Sequence, residues 1–348
     1  MTTTLKKLAL GLLPLLLLLG LAEGGARALE PLLWGTSYPG GQPTGLYEVR
    51  DGRPQLIRGA ELPGVLVDVR VNSWGFRDDE VIEPRPEQAL RVWVVGGSTT
   101  FDIYARDNAS AWPNLLEQRL QRALPGRRVE VLNAGIPGET LMGSGDDLER
   151  LGERFQPDLV LLYHGPNDLR HEAMQPLLQR GPAPVKGVDW SRVAGSIALT
   201  RLLARVSQPA LFTGGGRFDP ESGLRSAREG LSRAIELSRG LGATPVLATH
   251  PLRIVLDDQG QLGREMHELS QHLLLPPEQS VAAYQAYNEY VRGLAVSEEL
   301  PLVEVAQAVD SSPENWGDLT HFRRPGAELC ADEVARVLLA SPDLLRPR

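Results

Sequence analysis

The chain has 348 residues, 42% of them hydrophobic and 23% charged, with a formal net charge of −8. That composition fits a folded globular protein and excludes a disordered or fibrous one. The acidic balance repels phosphate backbones, which argues against nucleic acid as a partner, and the single cysteine, Cys330, excludes an intrachain disulfide.

At the N-terminus, Lys6 and Lys7 precede an apolar run from Leu8 to Ala22, which Glu23 ends. Charge followed by an apolar run is the layout of an export signal. As a helix the run spans about 22 Å, short of the roughly 30 Å of a bilayer core. Small-x-small sites at Gly20-Leu21-Ala22 and Ala26-Arg27-Ala28 offer cleavage. Residues 1–28 therefore read equally as a cleaved signal peptide or an N-terminal membrane anchor. Either way the lysines stay cytoplasmic and the rest is translocated. The expected location is extracytoplasmic, in the periplasm or at the cell surface, with membrane contact confined to this segment.

Residues 29–88 are rich in glycine, proline and short strand-like runs. Leu46–Val49 and Gln55–Ile57 flank Asp51-Gly52, a hairpin signal. Val67–Val71 alternates apolar and charged residues as a half-buried strand does. The stretch predicts a β-rich extension packed on a main domain, since about 60 residues without disulfide or metal rarely stand alone.

From residue 89 to 341 short apolar runs alternate with helical periodicity. The predicted strands are Arg91–Val95, Val129–Leu132, Asp158–Tyr163, Pro245–Thr249 and Leu302–Val305. Between them, Trp112, Leu115, Leu116 and Leu120 line one helical face, and Leu224, Ala227, Leu231, Ala234 and Leu241 line another. Pro325 opens a last helix to about Leu339. This alternation predicts an α/β fold, a five-stranded parallel sheet covered by helices on both faces. Residues 169–221 interrupt the rhythm with Pro- and Gly-rich pieces, including Gly214-Gly215-Gly216, around a short helix near Ile197–Val206. They read equally as a lid over a site or as a surface excursion.

Four places carry chemistry. Gly96-Gly97-Ser98-Thr99 follows the first strand, Asn133-Ala134-Gly135 the second and Gly165-Pro166-Asn167-Asp168 the third, while Asp318-Leu319-Thr320-His321 precedes the last helix. Ligands of open parallel sheets bind beyond the carboxyl ends of the strands, where strand order reverses. In the flavodoxin-like order 2-1-3-4-5, the turns of Gly135 and Asn167 flank Ser98. A serine hydroxyl needs an adjacent base to become a nucleophile. His321 supplies one, and Asp318 is spaced to hold its imidazole. The backbone N–H of Ser98, that of Gly135 and the side-chain amide of Asn167 are candidate donors for an oxyanion.

In these four blocks the chain resembles the SGNH hydrolase family, also called GDSL esterases. Ser98, Gly135, Asn167 and His321 stand for its four named residues, and Gly165-Pro166-Asn167-Asp168 and Asp318-Leu319-Thr320-His321 match its Gly-x-Asn-Asp and Asp-x-x-His blocks. The resemblance covers roughly residues 89–341. It implies a three-layer α/β/α fold and an esterase with Ser98, His321 and Asp318 as its triad. The stretch Asn72-Ser73-Trp74-Gly75-Phe76-Arg77 is similar to a segment that precedes the catalytic domain in bacterial, N-terminally anchored members. Two positions depart from the pattern. Gly97 replaces the aspartate of Gly-Asp-Ser-Leu, and Asp102 stands where many relatives have glycine.

Asp168 reads as a loop brace, and His164 and His250 as neighbours of the site. His267-Glu268 with His272 imitates a zinc-protease helix, but the five-residue spacing turns the two imidazoles off a common face. No metal and no cofactor are expected. The favoured function is ester hydrolysis on a small-molecule or glycan ester. Acyl transfer or deacetylation on an extracytoplasmic glycan uses the same residues, and a non-catalytic envelope-binding module or a flavodoxin-like nucleotide binder would use the same fold.

Overall fold

In a computed structural model of the chain, which describes residues 14, 17–29, 46–50, 53–64, 67–179 and 217–346, four short strands precede the main sheet. Strands β1 (Tyr47–Arg50) and β2 (Arg53–Leu56) pair antiparallel, as do β3 (Glu61–Pro63) and β4 (Asp68–Arg70). The predicted Asp51-Gly52 turn, the helix near Ile197–Val206, Gly214–Gly216 and the Lys6–Lys7 pair lie outside the described residues. Residues 17–29 are helical, and no helix among the described residues is long and apolar enough to cross a membrane.

The five predicted strands form one all-parallel sheet: β5 (Leu90–Gly96), β6 (Val129–Gly135), β7 (Leu159–Tyr163), β8 (Thr244–Ala248) and β9 (Leu302–Val303). Its order is β6-β5-β7-β8-β9, which places the first strand between the second and third as expected. Strand β9 is shorter than predicted, because a new helical turn begins at Val305. Alternate side chains of each strand enter opposite layers. Trp93, Val95, Leu132, Ala134, Val160 and Leu162 join one core, while Val92, Val94, Val129, Val131, Leu159 and Leu161 join the other. Both faces are thus buried, which requires the near-continuous apolar runs seen in the sequence.

Helices cover each face. After the single turn α1 (Ser98–Phe101) come α2 (Trp112–Ala123), α3 (Leu141–Phe155) and α4 (Pro166–Gln179), then α5 (Arg225–Gly240), α6 (His267–Leu273), α7 (Pro277–Ser297) and α8 (Arg324–Leu339). Helices α2 and α8 pack on one face through Trp112, Leu115, Leu116, Leu120, Ala327, Cys330 and Val334. Helices α3, α5 and α7 pack on the other. Within the expected insertion 169–221, α4 continues to Gln179, and residues 180–216 lie outside the described residues.

The outer edge of β6, the first strand in the sheet order, is covered by side chains, which keeps it from pairing with another chain. The N–H groups of Val129, Val131 and Asn133 donate to Gln121 Oε1 (3.0 Å), Glu117 Oε2 (2.8 Å) and Asp78 Oδ2 (2.9 Å). The third acceptor comes from the N-terminal extension. Just before it, Trp74 and Phe76 insert among Trp93 and Phe155, with Trp74 and Phe155 edge to face at 5.1 Å. Truncating Phe155, which is fully buried, leaves a cavity under three aromatic rings. Phe155→Ala is expected to cost about 3–5 kcal/mol, read as a lower urea midpoint with an unchanged slope.

Candidate active site

The carboxyl ends of three strands lie level, since Gly96 pairs with Gly135 on one side and Tyr163 on the other. The chain leaving each strand therefore enters the same space. Ser98 is the first residue of α1, directly after β5. A Cβ at Gly96 would overlap Thr100 and the Tyr163 carbonyl, and one at Gly97 would overlap the Asn167 amide nitrogen. The two glycines let the turn lie flat against β7, and the Asn167 amide occupies the room beside Gly97.

The Asp318–His321 loop crosses back to reach Ser98. It is closed by Gly317 N–H donating to the His321 carbonyl (2.8 Å) and anchored by Trp316 packed on Phe322. Asp318 Oδ1 accepts the N–H groups of Thr320 (2.8 Å) and His321 (2.9 Å), a local turn that aspartate forms readily. The same carboxylate lies 2.8 Å from His321 Nδ1, and His321 Nε2 lies 2.7 Å from Ser98 Oγ. Burial pushes the Asp318 carboxyl up, but the hydrogen bonds from His321 and the backbone outweigh it and hold it at about 2. An ionised carboxylate at Nδ1 keeps the proton there and leaves Nε2 as an acceptor toward the serine hydroxyl.

Asn167, near the start of α4, donates from Nδ2 to the Glu139 carbonyl (2.8 Å). It lines an open cleft of about 400 Å³ together with Ser98, Gly138, Ile103, Arg170 and His272. Gly135 is not in that cleft. It is the last residue of β6, its N–H donates to Asn133 Oδ1 (3.2 Å), and a Cβ there would overlap the backbone of Thr100 and Phe101. Gly138 stands where Gly135 was expected. With φ +84° it is the third residue of a type II turn, Pro137 preceding it and Glu139 N–H closing onto Ile136 O (3.0 Å). No hydrogen bond among the described residues occupies the N–H of Gly138 or of Ser98.

The surrounding polar groups brace these turns. Asp168 Oδ1 accepts the Leu141 N–H (2.9 Å), tying α3 to α4, and its other oxygen lies 3.6 Å from His164 Nδ1. His164 Nε2 is 2.9 Å from Ser144 Oγ. His250 stacks on Tyr163 and reaches Thr99 Oγ1 (3.2 Å), one residue beyond the serine. His272, weighed in the sequence only against a metal helix, lines the cleft beside Ser98. A guanidinium only donates, so His272 Nδ1 accepts from Arg170 Nη1 (3.2 Å). The side chains of His267 and Glu268 lie outside the described residues, and no three potential metal ligands cluster among those that are described. Asp102, the departure from glycine, has φ +63° at the end of α1 and accepts the Trp112 N–H (3.0 Å) at the start of α2. Glycine suits that backbone, and aspartate tolerates it while adding a cap.

Buried titratable groups give stability a definite pH dependence. Burial raises Asp78 to about 8, Glu139 and Asp168 to about 7 and Asp102 to about 6. Between pH ~4 and those values the folded chain keeps protons that the unfolded chain has released, so stability falls as pH rises. Burial lowers His164 and His250 to about 3 and His272 to about 4. Below pH ~6.5 the unfolded chain takes protons that the folded chain refuses, so stability falls as pH drops. The two effects oppose each other between pH ~4 and ~6.5. The melting temperature is expected to peak there and to decline on both sides in a scan from pH 3 to 9.

A family model described as GDSL-like lipase/acylhydrolase matches residues 94–329. Among solved structures, the chain is similar to a lipolytic protein of the G-D-S-L family from Desulfitobacterium hafniense, at 15% identity and TM-score 0.41, over 71% of this chain and 99% of that one. It is also similar to the psychrotrophic esterase EstA from Pseudoalteromonas sp., at 15% identity and TM-score 0.44, over 73% and 98%. A third is LAE5, an alpha/beta hydrolase enzyme from the metagenome of Lake Arreo, at 16% identity and TM-score 0.45, over 74% and 98%. A search of curated proteins found no match.

Proposed function

This chain belongs to the GDSL-like lipase/acylhydrolase family, and we propose that it cleaves carboxylic esters through an acyl-enzyme on Ser98, with His321 and Asp318 completing a triad. The observation that carries this reading is the unbroken chain from Ser98 Oγ to His321 Nε2 (2.7 Å) and from His321 Nδ1 to Asp318 Oδ2 (2.8 Å). As Oγ attacks the ester carbonyl, its proton passes to His321 Nε2, and Asp318 stabilises the resulting imidazolium. The tetrahedral intermediate collapses, His321 returns the proton to the departing alcohol, and the acyl group stays on Oγ. Water, deprotonated by the same nitrogen, then releases the acid and restores the serine.

The oxyanion is assigned to the N–H groups of Gly138 and Ser98 and the amide of Asn167. Gly138 replaces Gly135 in this role because its N–H lacks another acceptor among the described residues and it lines the cleft with Ser98. The Asn167 nitrogen has two hydrogens, and only one goes to Glu139 O. Asn167→Ala is expected to lower kcat by about 10²–10³-fold with little change in KM, in steady-state assays with p-nitrophenyl esters.

The test of the reading is hydrolysis of p-nitrophenyl acetate and butyrate together with a fluorophosphonate probe, the labelled residue located by peptide mass. Turnover with label on Ser98 supports it. Label without turnover directs the acyl-enzyme toward an acceptor other than water, as in acyl transfer to a glycan. Neither label nor turnover sinks it. Export through the N-terminal segment is part of the same proposal, supported by Lys6, Lys7 and the apolar run to Ala22. The mass of the protein recovered from the cell envelope distinguishes a cleaved signal from an anchor.

A further inference from the structure

The stretch Asn72–Arg77 takes no part in the chemistry proposed above, yet Arg77 is completely enclosed, at 0% exposure. Its guanidinium is spent mainly on backbone, with Nε donating to Asn108 Oδ1 (3.4 Å). Nη1 donates to the carbonyls of Phe101 (2.9 Å) and Asp102 (2.7 Å), and Nη2 donates to that of Ala105 (2.8 Å). Its carbon sits 4.8 Å from the centre of the Phe101 ring. All three carbonyls belong to the chain leaving α1, the four-residue helix that begins with Ser98.

A helix of one turn cannot hold itself. Nucleation is unfavourable, and the last carbonyls have no partner within the helix. Here the backbone also turns through φ +63° at Asp102, a conformation that disfavours a side chain. The path after Ser98 must therefore be held from outside: the Trp112 indole N–H donates to the Thr99 carbonyl (2.8 Å), and Arg77 supplies the donors for the carbonyls that follow. A planar fork with fixed N–H directions spans carbonyls set apart along the chain, whereas an ammonium presents its three donors from a single nitrogen on a flexible stem.

The same extension grips the opposite turn. Arg53 ion-pairs with Asp146, lies 3.5 Å from the Glu139 carboxylate and donates to the Gly143 carbonyl (3.1 Å). Leu46, Leu56, Leu62, Val69 and Val71 close a small core over Phe101 and Ile136, one residue from each turn. The N-terminal extension thus packs on the serine turn and the Gly138 turn together.

We propose that Arg77 is a positioning residue for the nucleophile: by holding the carbonyls of Phe101, Asp102 and Ala105 it keeps Ser98 Oγ in register with His321 Nε2, without touching a reacting atom. This rests on Ser98 being the nucleophile. The test is Arg77→Lys in the full chain, with active sites counted by fluorophosphonate titration so that rates are expressed per labelled site. The expected result is a 10- to 100-fold lower kcat per site on p-nitrophenyl acetate, a KM within about threefold of wild type, and labelling of Ser98 slowed by the same factor as kcat. A purely structural role would lower the number of labelled sites and leave the rate per site unchanged, and that outcome overturns the proposal. Phe101→Leu, which removes the ring beneath the guanidinium and keeps α1, is the second variant. A several-fold lower rate per site supports the assignment, and a wild-type rate per site overturns it. If wild-type protein itself neither labels nor turns over, the nucleophile reading fails first and the role of Arg77 falls with it.

Discussion

Ser98→Ala is expected to lower kcat on p-nitrophenyl acetate on the order of 10⁵-fold and to abolish fluorophosphonate labelling. The loss should be this large because the variant retains every other part of the site and still has no atom that can carry the acyl group. What remains is catalysis by the oxyanion donors acting on water, a residue of activity that serine hydrolases keep when the nucleophile is removed. The substitution should cost little stability. Ser98 is only partly buried, and its hydroxyl makes a single side-chain hydrogen bond, to His321. Equal melting temperatures with a rate ratio near 10⁵ would separate chemistry from folding. A ratio below about 10 would mean that another nucleophile performs the reaction.

Much of the convergence of this candidate site is readable in the sequence. The strands are legible because parallel strands buried on both faces are apolar at nearly every position, and the periodicity then changes at each helix. Ser98, Asn167 and the Asp318–His321 pair were legible because each sits where such a run stops. The sequence places the cleft-lining turn three residues early, at Gly135 rather than Gly138, for a physical reason. Asn133 looked like the first turn residue, but β6 continues through it, its N–H capped by Asp78 from some fifty residues away. Ending the strand at Leu132 shifted the turn by three positions, from Pro137-Gly138 to Ala134-Gly135. The Pro-Gly pair was itself a turn signal strong enough to have located it.

The rest was not legible because it depends on distance in sequence. His272 enters the cleft only because α6 packs against α4, and nothing in its local spacing announces that. Arg77 gave a recognisable stretch but no role until the carbonyls of 101, 102 and 105 converged on it. Asp102 shows the converse. Its backbone angle is one that glycine adopts freely, and its carboxylate serves to cap the start of α2.

Asp318→Asn is the second large effect, expected at about 10⁴-fold in kcat with the loop intact. The loop survives because the asparagine oxygen can still accept the N–H groups of Thr320 and His321, the two backbone bonds that Asp318 Oδ1 now holds. What changes is the atom facing His321 Nδ1. With the amide oxygen committed to the backbone, the NH₂ group points at the ring and must find an acceptor there. Nδ1 then loses its proton, Nε2 gains one, and the imidazole presents N–H rather than a lone pair to Ser98 Oγ. A base that already carries its proton cannot take another from the serine. The shift also removes the carboxylate that stabilises the imidazolium formed during attack. Asp318→Ala is expected to lose activity less selectively, because it also strips the turn of its acceptor and lets residues 317–321 drift from Ser98. Comparing the two by kcat and by melting temperature tests the assignment. Near-equal stability of Asp318→Asn and wild type, with a 10⁴-fold rate loss, fits an electrostatic and tautomeric role. A small rate loss in Asp318→Asn would mean that the carboxylate serves only to shape the loop.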